Sequence, residues 1–309
     1  MRVPDESFDR QVAPFRRELL AHCYRMLGSV DDAEDAAQES LLRAWRSHTS
    51  FEGRSSLRVW LYRIATNVCL TALTGRRQRY LPSGAPDADV AWLQPIPDPL
   101  VVGSDDDPAT IVATRHSVRL ALVAGVQYLP PRQRAVLILR EVLGFPAAEV
   151  ASMLDTTVAA VKSTLQRARA RLDEVAPELD QVSEPTDPHA QALLRAYLDG
   201  FERHDLAALE RALRTDAAIE LVGSTTWFAG RQHCLSFLAE VIAAPGNWRM
   251  APTIANGQPA AVAYQRDPDG TYRAFGIGVL TVTPSGIARI TVFGGGPEVV
   301  AGFGFPASD

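Results

Sequence analysis

Six polar side chains near the middle of the chain have the types and spacing needed to contact DNA. They are Thr157, Lys162, Ser163, Gln166, Arg167 and Arg169. In a helix, positions three and four apart share a face, so most of these side chains would point outward together. A glutamine can hydrogen-bond adenine, and arginine or lysine can bind guanine or phosphate. The pattern indicates a helix that reads a DNA groove.

The elements around these side chains predict a helix-turn-helix. Pro146 suits the first position of a short helix, and Asp155 with Thr156 ends it before Thr157, a predicted N-cap. The second helix has an inward apolar stripe that leaves the polar positions exposed, formed by Val158, Val161, Leu165, Ala168 and Leu172. A helix-turn-helix of this kind enters the major groove through its second helix.

Charge is strongly segregated along the chain, although the net charge is only −5. Residues 51–80 and 115–173 each carry a net +5, whereas residues 81–114 hold six aspartates and no basic residue. Residues 174–309 carry nine arginines against sixteen acidic residues. Two basic modules therefore alternate with two acidic ones, and only the basic modules suit nucleic acid.

The length and composition predict two or three domains with proper apolar cores. No run is long enough to span a membrane, and the start has no signal-peptide pattern, so a cytoplasmic location is expected. Cys23, Cys69 and Cys234 are too scattered for a disulfide framework or a zinc site. Neither a metal nor a cofactor is expected.

Two segments are predicted to be linkers because they are rich in proline and acidic residues. The first covers residues 81–114 and the second residues 178–188. Within the first, Trp92 and Leu93 are apolar exceptions, which indicates packing onto a neighbouring domain rather than a dedicated contact with a partner. The six aspartates suit either simple solubility or a basic channel of a partner.

The last module, residues 189–309, alternates between helical and strand patterns. It starts with an amphipathic helix that includes Tyr197, and strand patterns run through residues 248–255, 259–266, 271–283 and 287–293. This order predicts an α+β cone in which helices pack on a curved antiparallel sheet. The chain as a whole is therefore expected to be multidomain, with two all-α modules before the cone.

The two basic modules resemble a known family when they are taken together. Residues 31–45, rich in acidic side chains, and residues 51–69, which begin Phe51-Glu52-Gly53-Arg54, resemble domain 2 of bacterial sigma factors of the extracytoplasmic-function (ECF) group. The helix-turn-helix resembles domain 4 of the same factors. The resemblance implies domain 2 in residues 1–80 and domain 4 in residues 115–177, and it implies that both β and β′ subunits of core RNA polymerase are partners.

The resemblance also implies roles for particular residues. Asp35, Gln38 and Glu39 would form the face that docks on a coiled coil of the β′ subunit. Binding and melting of the −10 promoter element would fall to Phe51, Arg54, Ser55, Ser56, Arg58, Arg63, Asn67, Arg76, Arg77 and Arg79. The outward positions of the helix-turn-helix would bind the −35 element. Asp155, Ala160 and Thr164 depart from the usual family pattern, so the −35 sequence itself is not implied.

The last module resembles the SnoaL-like cone that is fused to a subset of these factors. Its candidate ligand-pocket residues are Tyr197, Trp227, His233, Tyr264 and Arg289. An isomerase-type enzyme would need a buried acid or base in such a pocket, with Glu220 and His233 as candidates. No local motif joins them, so a regulatory domain that responds to a small molecule or a protein is preferred.

Three functions remain open from the sequence. The preferred one is a promoter-recognition subunit of RNA polymerase without catalytic activity. A one-component regulator with a ligand-sensing cone would leave the first module unexplained. A cone isomerase or cyclase with a DNA-binding arm predicts turnover by residues 188–309 alone.

Overall fold

A computed structural model describes residues 6–51, 53, 55–74, 93–104, 106–175, 182–224 and 226–309. Its contacts divide the chain into two units. The first unit contains Met1–Leu81 and Pro99–Pro177, and the second contains Pro82–Asp98 and Glu178–Asp309. The segment just before Asp98 thus belongs to the C-terminal unit, although it lies in sequence between the two helical modules.

The first unit begins with four helices that pack around one apolar core. They are α1 (Glu6–Val12), α2 (Arg16–Leu27), α3 (Val30–Ser47) and α4 (Leu57–Thr74). Ser29 caps α3, because its hydroxyl accepts a hydrogen bond from the backbone N–H of Asp32 at 3.2 Å. Ala33, Ala36 and Ala44 lie on one face of α3 and are buried. Small side chains on this face let α2 and α4 pack closely against α3.

The rest of the first unit is also helical. It contains α5 (Asp98–Val101), α6 (Pro108–Val118), α7 (Leu120–Gln127), α8 (Pro131–Leu137), α9 (Ala147–Met153) and α10 (Val158–Val175). A five-residue π-helical stretch, Ile138–Val142, continues α8. The helices α9 and α10 are the predicted helix-turn-helix.

The turn between α9 and α10 contains Asp155 in the left-handed region, with φ of +47°. Glycine adopts this region without strain, and aspartate is one of the few other residues that visit it. The backbone N–H of Thr156 closes the turn by donating to the carbonyl of Ala151 at 2.9 Å. Asp155 therefore fits a turn in which glycine is usual, and this departure from the family pattern leaves the motif intact.

Arg134 is a buried cation that joins the two halves of the first unit. Its guanidinium donates to the carbonyl oxygens of Met26 on α2, of Gln127 at 2.9 Å and of Leu129 at 3.2 Å, and also to the side-chain oxygen of Gln127. Burial lowers the pKa of Arg134 to about 10, which still leaves it charged at neutral pH. Carbonyl dipoles from α2 and from the α7–α8 junction thus replace its hydration.

The second unit packs helices on one sheet. Its elements are α11 (Pro188–Arg203), α12 (Leu206–Ala212), β1 (Leu213–Val222), β2 (Trp227–Ala229), α13 (Arg231–Ile242), β3 (Trp248–Ala255), β4 (Gln258–Arg266), β5 (Tyr272–Thr283), β6 (Gly286–Gly294) and α14 (Gly296–Ala301). The last four strands lie within one residue of the expected bounds. The expected class, helical domains followed by an α+β cone, is confirmed.

The sheet is mixed rather than purely antiparallel as expected. Its order is β2-β1-β6-β5-β4-β3, and the pairing of β1 with β6 is parallel. The cause is topological, because the chain leaves β1 through β2 and α13, and the meander β3–β6 then returns beside β1 in the same direction. A bulge in β5 lies at Phe275, because Ala263 pairs with Gly276 whereas the next residue, Tyr264, pairs with Ala274. At Gly276 any Cβ would lie 2.1 Å from the carbonyl oxygen of Phe293. This glycine is required where the sheet bends.

The first predicted linker is only partly a linker. Residues 93–98 pack in the second unit, where Leu93, Ile96 and Asp98 are at most 6% exposed. Further on, Asp107 caps α6, because its carboxylate accepts the backbone N–H groups of Ala109 and Thr110. The helix α6 therefore begins at Pro108, inside the segment expected to be a linker, and an aspartate before a proline was the available sign of that helix start. Trp92 lies outside the described residues.

No helix in the described ranges is long and apolar enough to cross a membrane. In the same ranges, no cluster of three or more histidine, cysteine or acidic side chains could hold a metal ion.

Acid is expected to destabilise the first unit through His22. Burial, and secondarily the charge of Arg25, lower the pKa of His22 to about 3, while its ring Nε2 lies 3.0 Å from the hydroxyl of Thr66. Above pH 6.5 both folded and unfolded states hold a neutral imidazole. As pH falls toward 3, only the unfolded state takes up the proton, so the free energy of unfolding decreases, by about 2 kcal/mol at pH 5.

Denaturant unfolding at pH 7 and pH 5 measures this loss. In His22→Gln the pH-dependent part of the loss is expected to disappear, whereas the same substitution at the exposed His189 leaves it. An equal pH dependence in wild type and His22→Gln would show that other groups cause it.

Candidate nucleic-acid and polymerase interfaces

The predicted −35 face is exposed along α10. Lys162, Ser163, Gln166, Arg167 and Arg169 are all exposed, and Val161, Leu165 and Ala168 on the opposite face are at most 8% exposed. The helix is thus fixed by its apolar face, and its polar face is available for a ligand.

Some side chains on this face form hydrogen bonds or ion pairs within the protein, and others do not. Thr157 acts as the N-cap, accepting the backbone N–H of Ala160 at 3.1 Å. Arg169 forms an ion pair with Glu141 at 2.8 Å, and Arg167 donates to Thr164 at 3.2 Å. Lys162 and Gln166 make no side-chain hydrogen bond or ion pair within the described residues. These two are the side chains best prepared to contact bases or phosphates.

The predicted −10 surface is only partly assembled in the structure. Phe51 and Trp60 are half-buried and lie against each other, with ring centroids 4.8 Å apart. This pair is partly accessible for base stacking. Tyr62, in contrast, is fully buried and its hydroxyl donates to Glu18 at 3.1 Å, so it belongs to the core.

Two arginines of the −10 surface, Arg58 and Arg63, lie within the described residues. Both contact residues of the second helical module. Arg58 lies over the ring of Phe145, 4.7 Å from its centroid, and also pairs with Glu18 at 3.0 Å. Arg63 pairs with Asp155 at 3.2 Å. Local sequence patterns could not predict these contacts, because they join residues far apart in the chain.

The small polar residues of this surface remain accessible. Ser55, Ser56 and Asn67 are exposed, and the hydroxyl of Ser56 accepts the backbone N–H of Val59 at 3.2 Å near the start of α4. The other four arginines assigned to this surface, Arg54, Arg76, Arg77 and Arg79, lie outside the described residues.

The predicted polymerase-docking residues share one face of α3. Asp35 and Gln38 are exposed, and Glu39 is half-buried and bonds Arg43 at 2.6 Å. Spacings of three and four residues place all three side chains on one stripe, opposite the buried alanines. The stripe is acidic and suits a basic partner surface.

The second unit contains a cavity of about 410 Å³ between its helices and the sheet. Of the five residues assigned to a ligand pocket, Tyr197 lines this cavity and the others do not. Trp227 is 55% exposed on β2. The ring Nδ1 of His233 bonds the carbonyl of Ala229 at 2.9 Å, and the hydroxyl of Tyr264 donates to the carbonyl of Pro306 at 3.1 Å.

The remaining pocket candidate, Arg289, pairs with Glu220 at 3.0 Å. Burial raises the pKa of Glu220, and Arg289 partly opposes that shift. Glu220 lies between Ile219 and Leu221, which line the cavity, so strand alternation turns its side chain to the other face of the sheet. The other residues that line the cavity were not among the sequence-based candidates, because aromatic residues at helix and strand spacing usually belong to the hydrophobic core.

Two known protein families match separate parts of the chain. The Sigma-70 region 2 family matches residues 12–79, and the Sigma-70 region 4 family matches residues 119–172. The ECF RNA polymerase sigma factor SigG of Mycobacterium tuberculosis (strain CDC 1551 / Oshkosh) is 47% identical over 302 residues, which cover 93% of this chain and 81% of the relative.

A second relative and a solved structure extend the comparison. SigJ of Mycobacterium tuberculosis (strain ATCC 25618 / H37Rv) is 34% identical over 158 residues, covering 50% of this chain and 46% of SigJ. The crystal structure of the Mycobacterium tuberculosis factor SigJ superposes with a TM-score of 0.65 at 22% identity, covering 95% of this chain and 98% of that chain. This superposition shows a shared fold. On the strength of the SigG identity, the chain belongs to the extracytoplasmic-function family of RNA polymerase sigma factors.

Proposed function

We propose that this protein binds core RNA polymerase and directs it to start transcription at specific promoters. The observation that carries the proposal is the exposed polar face of α10, with Lys162 and Gln166 unengaged, on a chain that is 47% identical to a named sigma factor. The acidic stripe of α3 supplies the polymerase contact, and the Phe51–Trp60 pair supplies a stacking surface for an unpaired base.

The chemical step in this function belongs to the polymerase, so the chain itself acts as a binding protein. It works in the cytoplasm, where core polymerase and DNA are found. Promoter-specific transcription by purified core polymerase with and without the protein tests the proposal. DNA binding without any effect on polymerase would instead favour a one-component regulator.

DNA binding requires the two helical modules to separate in part. In the structure Arg58 contacts Phe145 and Arg63 contacts Asp155. DNA and the second helical module therefore compete for these two cations. Since the ion pair of Arg63 is exposed and worth at most about 1 kcal/mol, phosphates can compete for it. The exposed contacts thus open readily, whereas the buried bonds of Arg134 resist separation.

Gln166→Ala is expected to weaken binding to the cognate −35 duplex by about 30-fold, which corresponds to about 2 kcal/mol for one lost bidentate base contact. Its effect on unrelated DNA should be small, because a glutamine adds little to phosphate binding. Fluorescence anisotropy with cognate and scrambled duplexes measures both affinities. Arg171→Ala, exposed further along α10, is the control. Equal losses on both duplexes would show that Gln166 does not read a base.

The C-terminal unit is proposed to regulate the sigma modules by holding the chain that connects them. Ile96 makes two hydrogen bonds with Asn256: its N–H donates to the side-chain oxygen at 3.0 Å, and its carbonyl accepts from the backbone N–H at 2.9 Å. Asp98 accepts the N–H of Gly257 at 2.9 Å, and Pro97 pairs with Ala255. We call residues 93–98 with the β3–β4 turn the clasp.

The clasp restricts the connection between the two modules. In the family this connection threads near the polymerase active centre, and a segment bound in the clasp is withheld from that path. The aspartates are not all free either, because Asp98 bonds the clasp, Asp106 accepts the N–H of Gly103 at 2.6 Å and Asp107 caps α6. The activity of the sigma modules then depends on whether residues 93–98 are bound to the C-terminal unit or to polymerase.

Ile96→Asp is expected to open the clasp, because a carboxylate at a fully buried position costs several kcal/mol. Hydrogen exchange of the amides of residues 93–98 should rise at least tenfold while the β4–β5 amides stay protected. Pro99→Asp, one residue beyond the clasp and exposed, is the matched control. Unchanged exchange in Ile96→Asp, or an equal rise in the control, would contradict the clasp.

A further inference from the structure

The cavity of the C-terminal unit is a nearly continuous apolar space. Its walls come from α11, α13 and the concave face of the sheet, and its aromatic residues are Tyr197, Phe201, Phe237, Trp248 and Phe275. Rings within this set pack edge to face, with centroids 5.7 Å apart for Phe201 and Trp248. The indole N–H of Trp248 is already bonded to the carbonyl of Val241 at 3.0 Å. The aromatic wall therefore offers flat surfaces and few polar atoms.

Tyr197 is the exception inside the cavity. Its side chain is 3% exposed, and its hydroxyl makes no hydrogen bond to any described residue. The hydroxyl lies against Gly278, also a lining residue, where a Cβ would be 3.0 Å from the phenol oxygen. Burial raises the pKa of Tyr197, so the phenol stays protonated and can donate. Because Tyr197 lines the cavity, its hydroxyl can donate to an acceptor on a molecule bound there.

The charged and amide groups of the lining lie at the mouth. Glu240 and Gln265 are exposed, and Phe275 is 36% exposed beside them. Among the described lining residues, no histidine and no buried carboxylate faces the interior. Proton transfer to or from a bound molecule would need such a group. The cavity is thus equipped to bind a molecule and not to transform it by acid–base chemistry.

We propose that this cavity binds a flat, mainly hydrocarbon molecule that carries one carbonyl oxygen, held by the hydroxyl of Tyr197. The size follows from volume, since an apolar cavity of about 150 Å³ holds benzene and one of about 410 Å³ holds roughly 15 heavy atoms. Aromatic walls select a flat ligand, and the hydroxyl selects an acceptor at its inner end. The site is separate from the promoter and polymerase surfaces, so its existence does not depend on the proposed function.

Two probes of matched shape test the proposal on the full chain. We use 2-acetylnaphthalene, which carries a carbonyl, and 2-ethylnaphthalene, which does not. Wild type is expected to bind both, and the ketone about 3- to 10-fold more tightly, the contribution of one hydrogen bond. Titration by isothermal calorimetry and the rise in melting temperature with probe give the affinities.

Three variants assign the binding to this site. Tyr197→Phe should make the two affinities equal without lowering the melting temperature of the free protein, because its hydroxyl bonds no described residue. Ala263→Phe, which places a ring in the cavity, should abolish both. Trp227→Ala, on β2 and outside the lining, should change neither.

Three results would each overturn the proposal. Wild type that binds neither probe, a ketone preference that survives in Tyr197→Phe, or binding that survives in Ala263→Phe would each exclude it. If Ala263→Phe loses probe binding but still directs promoter-specific transcription, the cavity and the sigma modules work independently. A failure of this proposal is then distinguishable from a failure of the proposed function.

Discussion

Asp35→Arg is expected to weaken binding to core RNA polymerase by at least about 100-fold, with little effect on folding. Asp35 is exposed in the acidic stripe of α3, opposite the alanines that bury the helix, so the substitution changes the surface and not the core. Placing an arginine against a basic partner replaces an attraction with a repulsion that costs several kcal/mol. Surface plasmon resonance with immobilised core polymerase measures the affinity, and circular dichroism measures the folding.

The same charge reversal at Glu34 is the matched control. Glu34 is also exposed on α3, but it is turned about 100° away from Asp35 around the helix axis. A repulsion that depends only on net charge would affect both variants equally at low salt. Equal losses at all salt concentrations would mean that the stripe Asp35, Gln38 and Glu39 is not the docking face.

Arg134→Met is expected to lower the free energy of unfolding of the helical unit by about 3 kcal/mol. Its guanidinium satisfies the carbonyl groups of Met26, Gln127 and Leu129, and methionine keeps much of the volume while it leaves these buried acceptors unpaired. Part of the loss is offset because the variant no longer buries a charge. Denaturant unfolding followed by the helical signal gives the value.

Arg132→Met is the control for this prediction, because Arg132 is exposed on the same helix α8. A loss near zero is expected there. Since Arg134 bonds α2 to the α7–α8 junction, hydrogen exchange should also rise in both segments of Arg134→Met. Equal stability of Arg134→Met and wild type would show that the buried bonds do not hold the two modules together.

Elements with a strong local pattern could be predicted from the sequence. The predicted apolar stripe of α10 is buried at Val161, Leu165 and Ala168, whereas Val158 at its start is 40% exposed. The polar residues on the opposite side are exposed, as expected. The last four strands of the cone were placed to within one residue, because alternation and turn residues mark their ends. These signals act over a few residues and need no knowledge of distant contacts.

Features that depend on distant contacts could not be predicted in this way. Ile96 lies in a segment whose composition is typical of a linker, and only its pairing with Asn256, 160 residues later, gives it structure. Arg134 is an arginine in a basic module, which would usually be exposed, yet it is buried by carbonyl groups from another helix. Of the candidate pocket residues only Tyr197 lines the cavity, because its other lining residues come together from distant helices and strands.

Abortive transcription on a duplex promoter tests the promoter-directing function most directly. Purified core polymerase is combined with wild-type protein, Asp35→Arg or Gln166→Ala on DNA that includes the upstream region of the gene itself and a set of genomic fragments. Wild type is expected to yield promoter-specific short transcripts from at least one fragment that core alone does not transcribe, and both variants should lose most of this product. Wild-type protein that binds DNA but never yields such transcripts, or variants as active as wild type, would contradict the proposed function.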